Sequence, residues 1–457
     1  MSLTTTSFVH IAHTVRTLDL PSARGVEDYV GRIVDQPLGA ELFGDLRAAA
    51  RHLGVTPEFK RVVDYFRPAA GHTPPGFRIE AKLEPDGLLL FDLVRDIAYL
   101  EDGALRPTNV LYSADSANPY EVAPISGLIA NLTCNPGIIY DLFINNPKAN
   151  IGTKFKNRDE VMTELGRILG PGADISVELD NPFEQDFGKL LDEAEHFREI
   201  LSPWRVVIKV PHTGPVNAAN VHQLLSGDKH LDRRYWEPNT EDAFRGHNLA
   251  LKLHDHGFRV NFTLMFEPHQ TQLALQAKPY YINCFIRHRL MQSKWMSELL
   301  AQYTTEEDTR LLVALRSYMI ENDYLASTDT NCDLKDVRRH AERIVSYRRF
   351  REIEGADGLD SVRQNLRALR SANLPDTRLI ICSMEGDLNY PDIDRLVTSD
   401  EFADMTRRIV VTAEPGYLAR FTSTNQVVSY QRRFMNAARG QNDVLPAGVD
   451  SSGRDVL

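Results

Sequence analysis

The chain has 457 residues, 42% hydrophobic and 25% charged, with a formal net charge of −11 and 4 cysteines. Such a composition is globular, and acidic residues spread along the chain without a long basic run speak against nucleic acid or an anionic membrane as the main partner. No apolar run approaches a membrane span, the N-terminus lacks a basic start followed by an apolar core, and Cys134, Cys284, Cys332 and Cys382 lack metal-site spacing, so a cytoplasmic protein with reduced, buried thiols is expected.

Residues 1–107 read as a mainly helical N-terminal extension without evident chemistry. Thr56-Pro57-Glu58 supplies an N-cap and a first-turn proline, Val62, Val63 and Phe66 an apolar face, and Gly71–Gly76 a loop. From residue 108 the rhythm changes to short apolar runs separated by amphipathic segments. The runs are Val110–Ser116, Leu128–Thr133, Ile175–Asp180, Val206–Pro211, Val260–Phe266, Tyr281–Ile286, Leu379–Glu385 and Ile409–Ala413. Eight strands alternating with helices predict an α/β fold, a (β/α)8 TIM barrel over residues 108–440, followed by a tail at 441–457. Helical insertions are expected at about 215–245 and 299–375, both following strands and therefore on the face where barrel active sites lie.

The fourth run, Arg205–Gly214, reads RVVIKVPHTG and carries Lys209 inside a β-branched stretch. A lysine there needs a partner or a function, and burial lowers the pKa of an amine toward the range in which it attacks carbonyls. If Lys209 points into the barrel, Val207 and Pro211 do too. The same alternation turns Ser113 and Asp115, Asn131, Thr133 and Asn135, Ser176, Glu178 and Asp180, and Asn261 and Thr263 inward, with Val260, Phe262 and Leu264 facing the helices. A lumen is ordinarily filled with Val, Ile and Leu, so these residues suggest a polar pocket around an amine.

The order of these segments resembles the transaldolase family of Schiff-base barrel enzymes. Ala114-Asp115-Ser116, Asn131-Leu132-Thr133-Cys134-Asn135-Pro136, Ser176-Val177-Glu178-Leu179-Asp180, Ile208-Lys209-Val210-Pro211 and Asn261-Phe262-Thr263-Leu264 carry the resemblance, with Gln270 following the fifth strand. It implies Lys209 as the imine-forming residue, Asp115 as general acid/base, and Glu178 and Thr263 as holders of a catalytic water. It also implies substrate contacts at Thr133, Asn135, Asn261, Asn283, Phe285, Arg287, Arg289, Ser383 and Glu385. The sixth strand departs from the family pattern at Asn283 and around Arg287 and Arg289. At the seventh, Glu385 stands where the family places a phosphate-binding arginine, and a carboxylate there would repel a phosphate.

The expected function is transaldolase-like transfer or cleavage of a carbon–carbon bond on a ketose, with a ketose donor and an aldehyde acceptor as small-molecule partners, an unphosphorylated or atypical substrate, no cofactor and no metal; a homo-oligomer is compatible with the sequence. Two alternatives use other features. His212, His269 and His288 follow successive strands and would serve a metal-dependent aldolase or lyase. A barrel repurposed for binding or assembly would use the N-terminal layer and the insertions as surfaces.

Overall fold

The computed structural model describes residues 13–38, 40–348, 352, 354, 358–382, 390–420 and 422–439. After two short paired segments, β1 (His13–Thr14) and β2 (Pro37–Leu38), come β3 (His52–Val55), β4 (Phe77–Leu83) and β5 (Leu88–Arg95), a three-stranded sheet with β5 in the middle. The extension is therefore mixed rather than mainly helical. Its helix Pro57–Phe66 starts as the sequence indicates, with Thr56 Oγ1 accepting from the Phe59 amide at 3.0 Å. The signal for this sheet was in the sequence, since Phe77, Ile79, Ala81 and Leu83 alternate with Arg78, Glu80 and Lys82 in β4, and β5 is buried at every second residue.

Eight parallel strands then close a barrel: β6 (Leu111–Asp115), β7 (Ile129–Cys134), β8 (Asp174–Glu178), β9 (Val206–Pro211), β10 (Arg259–Met265), β11 (Tyr281–Phe285), β12 (Arg378–Cys382) and β13 (Ile409–Ala413). All eight lie where the apolar runs predict them, and the fold is a (β/α)8 barrel. Side chains sort as the pleat demands. Val206, Ile208 and Val210 join the core between strands and helices, whereas Val207 faces the lumen with Leu111, Tyr281, Ile380 and Val410; Ala130 joins them although its neighbour Asn131 also turns inward, at the register shift between β6 and β7.

The extension closes the barrel floor. Ile97 is fully buried among those lumen residues. Next to it Arg95 donates to Asp174 Oδ1 at 2.9 Å and to the Ala173 carbonyl at 2.9 Å, Tyr281 donates its hydroxyl to Asp174 Oδ2 at 3.0 Å, and Arg378 reaches Asp96 at 2.6 Å. These charges lie at the N-terminal ends of the strands, opposite the face where barrel chemistry takes place.

The long interval after β11 holds its own small core. The helices Arg287–Glu306, Thr309–Glu321 and Leu334–Tyr347 pack together through residues such as Met296, Leu315, Met319, Val337 and Ala341. The helix Asp360–Ser371 lies within the predicted insertion, yet its Val362, Leu366 and Leu369 belong to the barrel core, so it is the barrel's own sixth helix. The polar Gly227–Arg234 stretch of the other insertion docks onto the three-helix bundle, where Arg234 forms a bidentate pair with Asp329 at 2.9 and 3.0 Å and His230 Nδ1 lies 2.8 Å from Asp323. Residues 441–457 lie outside the described residues.

Candidate active site

A cavity of about 480 Å³ opens at the C-terminal end of the barrel, and Lys209 lies in its wall. Position 209 follows from the strand itself: β9 is buried on both faces, its odd positions point inward, and Lys209 is the inward residue nearest the mouth before Pro211. Helix Thr240–Asp255 holds the strand end closely. A Cβ on its Gly246 would stand 2.4 Å from the Pro211 carbonyl oxygen, so only glycine permits this approach.

Lys209 is 4% exposed. Its Nζ lies 3.1 Å from Glu178 Oε2 and donates to the Cys134 carbonyl at 3.3 Å. The expectation that burial lowers its pKa is not met. Burial does push the amine down and is the largest single influence, but Glu178 and Asp115 together outweigh it and hold the ammonium form above its usual range. Asp115 is pushed up to about 6, first by burial and further by Glu414 and Glu178, with Lys209 pulling against them.

Below the lysine runs a belt of polar lumen residues. Asn131 donates to Ser113 Oγ at 2.8 Å, Ser176 Oγ donates to Asn131 Oδ1 at 3.2 Å, and Asn261 donates to Ser176 Oγ at 3.2 Å. The belt spans four strands and supports the layer in which Lys209, Glu178, Asp115 and Thr263 meet around the cavity.

Residues 112–333 match the family model described as Transaldolase/Fructose-6-phosphate aldolase. This part of the chain is similar to that family. The matched segment runs from the first barrel strand into the inserted helical bundle. No curated protein matches the chain. Among solved structures, a refolded Pediococcus acidilactici protein described as a lactate oxidase aligns over 72% of each chain at 6% identity, with a TM-score of 0.29, a likeness too low to bear on function.

Around Lys209 most of the residues singled out in the sequence assemble. Asp115, Thr133, Asn135, Glu178, Thr263, Asn283, Phe285 and Arg287 line the cavity with Lys209. Asn135 also accepts from the Ile138 amide at 2.9 Å, which fixes the turn after β7. Asn261 does not reach the cavity; it is wholly buried in the belt beneath it. Asp180 turns away to an ion pair with Arg158 at 2.6 Å. Arg289 is also elsewhere, because two helical positions separate it from Arg287, a rotation of about 200°. It pairs with Glu267 at 3.1 Å and with Asp360, and Arg348 reaches the same Glu267 at 2.8 Å, so this buried cluster fastens the helical bundle to the barrel. Ser383 and Glu385 lie outside the described residues.

The alternation on the fifth strand also breaks near the mouth. The register shifts between Phe262 and Met265, and Leu264 takes a left-handed φ of 58° and lines the cavity instead of facing the helices. Bulges at barrel rims commonly re-aim side chains in this way. Gln270 stabilises the turn that follows, accepting from the amides of Phe266 and Glu267 at 2.7 and 2.9 Å.

Among the described residues, no group of three or more His, Cys, Asp or Glu side chains could hold a metal ion. His212 stacks on Phe262, with ring centroids 5.1 Å apart, and His269 Nδ1 lies 2.9 Å from the Tyr347 hydroxyl, whereas His288 lines the cavity. Sequence reasoning missed Thr412, Glu414 and Tyr417, which also line it. The signal was available: Ile409, Val411 and Ala413 are apolar and face the helices, so the same alternation places Val410, Thr412 and Glu414 inward.

Proposed function

We propose that the protein transfers or cleaves a carbon–carbon bond of a ketose through a Schiff base on Lys209. The observation that carries this reading is the placement of the Lys209 amine in one cavity with Glu178 at 3.1 Å and with Asp115 and Thr263 in the wall. Lys209 first gives a proton to Glu178, and the neutral amine adds to the ketose carbonyl. Glu178, with a water held between it and Thr263, returns the proton to the carbinolamine oxygen, which leaves as water to give an iminium. Asp115 then removes the proton from the hydroxyl beside the scissile bond. That bond breaks toward the iminium, an aldehyde departs, and the electron pair rests in an enamine. The enamine attacks an acceptor aldehyde while Asp115 returns its proton, and hydrolysis frees the new ketose. Where a proton captures the enamine instead, the outcome is cleavage.

General base catalysis by Asp115 contributes of order 10²–10⁴-fold, and the iminium serves as the electron sink. Support for the family chemistry comes from the match over residues 112–333. The ketose is one without the usual terminal phosphate, a reading that rests in the sequence on Glu385. Mass spectrometry after borohydride reduction tests the proposal, with phosphorylated and unphosphorylated ketoses offered to the wild type and to Lys209→Met. An adduct of ketose mass on the wild type alone is expected. An adduct that persists in Lys209→Met removes Lys209 from its role.

A further inference from the structure

Resting on the Schiff-base function above, we propose that Thr412 on β13 and Glu414 just beyond its end form a subsite for the hydroxylated end of an uncharged sugar chain. The site would then take an unphosphorylated polyhydroxy carbonyl compound. Thr412 is 2% exposed and Asn283 3%, yet Thr412 Oγ1 and Asn283 Oδ1 have no hydrogen-bond partner among the described residues, and both side chains line the cavity around Lys209. Buried polar atoms left unpaired are costly, and a ligand that pairs them is strongly selected over one that does not.

Glu414 extends this row. Ala413 is the register partner of Ala114, which sets Glu414 beside Asp115 at the mouth, and the influence of Glu414 on Asp115 reflects that proximity. The Glu414 carboxylate lines the cavity without a side-chain hydrogen bond or ion pair among the described residues. A carboxylate and an amide oxygen accept hydrogen bonds and cannot donate them. Their complement is a row of hydroxyl donors. A phosphate offers acceptor oxygens and negative charge, and at β13 it would meet Glu414 and Asp115 together, which disfavours it. Arg287 and His288 line the cavity from the β11 side. Its volume of about 480 Å³ suits a small sugar.

The test measures kcat and KM for an unphosphorylated six-carbon ketose, its 6-phosphate and dihydroxyacetone, with wild type, Glu414→Gln, Glu414→Arg, Thr412→Val and Thr412→Ser. Wild type should prefer the unphosphorylated ketose. Glu414→Gln should raise its KM roughly 10-fold, the loss of one charge-assisted hydrogen bond, with a smaller change for the three-carbon compound. Thr412→Val should behave similarly while Thr412→Ser retains the wild-type KM. Glu414→Arg should shift preference toward the 6-phosphate. An unchanged KM in Glu414→Gln, or a wild type that prefers the 6-phosphate, overturns the subsite. A wild type that gives a borohydride adduct yet fails these tests loses the subsite alone; one that gives no adduct with any of the three loses the Schiff-base function and the subsite with it.

Discussion

Glu178 and Lys209 are register partners on adjacent barrel strands, and their charged atoms meet at 3.1 Å almost out of solvent. The pair explains why the lysine rests as an ammonium in a buried position: two carboxylates outweigh the cost of burial. In the Schiff-base reaction proposed above the amine must first lose that proton, and Glu178 is the acceptor within hydrogen-bonding distance. Glu178→Gln should therefore have two opposite effects. The pKa of Lys209 should fall, so labelling by a small acylating reagent should reach half-maximum at a lower pH than in the wild type. Imine formation should nevertheless slow by about 10²–10⁴-fold, because the proton shuttle is gone. A labelling profile that does not move would mean that Asp115 alone holds the ammonium form.

Asp115 gives a pH dependence with a definite sign. Its carboxyl is held up at about 6 by burial and by Glu414 and Glu178. In the role of base proposed above it must be ionised, so kcat should fall as pH drops through about 6. Asp115→Asn should abolish the limb together with about 10²–10⁴-fold of activity. Stability runs the other way from the usual carboxylate. With the folded pKa above the unfolded value of 3.8, the protonated form stabilises the fold below about pH 4, and this contribution is lost as pH rises through about 6. Denaturant midpoints of Asp115→Asn should therefore exceed those of the wild type at neutral pH, with the gap closing toward pH 4.

The barrel and most of its polar pocket were legible because strand alternation has a period of two and the eight apolar runs are short and bounded. Pleat geometry turns Lys209, Asp115, Glu178 and Thr263 inward, and the family resemblance assigns roles to them. For Asn261, alternation tells which way the side chain points but not its height in the lumen. Leu264 escaped because a bulge shifts the phase of the pattern, and no residue in Asn261-Phe262-Thr263-Leu264 announces a left-handed φ. Arg289 lay outside what a strand pattern can place, since β11 ends at Phe285 and helical geometry takes over. The sign of the Lys209 shift depended on Glu178 and Asp115 lying close enough to outweigh burial, a balance of distances that spacing along the chain does not contain.

Gly246 offers a test of how the strand end holds the lysine. Its site on helix Thr240–Asp255 faces the Pro211 carbonyl so closely that an added methyl must push strand or helix away. Overpacking of this kind costs typically about 1–3 kcal/mol. Gly246→Ala should lower the denaturant midpoint accordingly. It should also reduce kcat through displacement of Lys209, two residues from the clash, since a 1 Å misplacement can cost about 10²-fold. Unchanged kinetics with lowered stability would show that the strand end moves without carrying the lysine.

The barrel floor allows stability to be separated from catalysis. Asp174 is fully buried at the start of β8, where it receives Arg95 of the extension at 2.9 Å and the Tyr281 hydroxyl at 3.0 Å, with Arg259 at 3.5 Å. Asp174→Asn keeps the shape and removes the charge, leaving the Arg95 guanidinium without its counter-ion in a dry layer. Breaking a buried pair from one side costs about 3–5 kcal/mol, and the change should appear as a lower Tm and urea midpoint. The cavity opens at the other end of the strands, with the polar belt between, so KM and kcat of the folded enzyme should stay within about 2-fold of the wild type. A midpoint that does not move would mean that the extension rests on the floor without bracing it; a large loss of kcat in the folded variant would mean that the floor and the lysine layer are mechanically coupled.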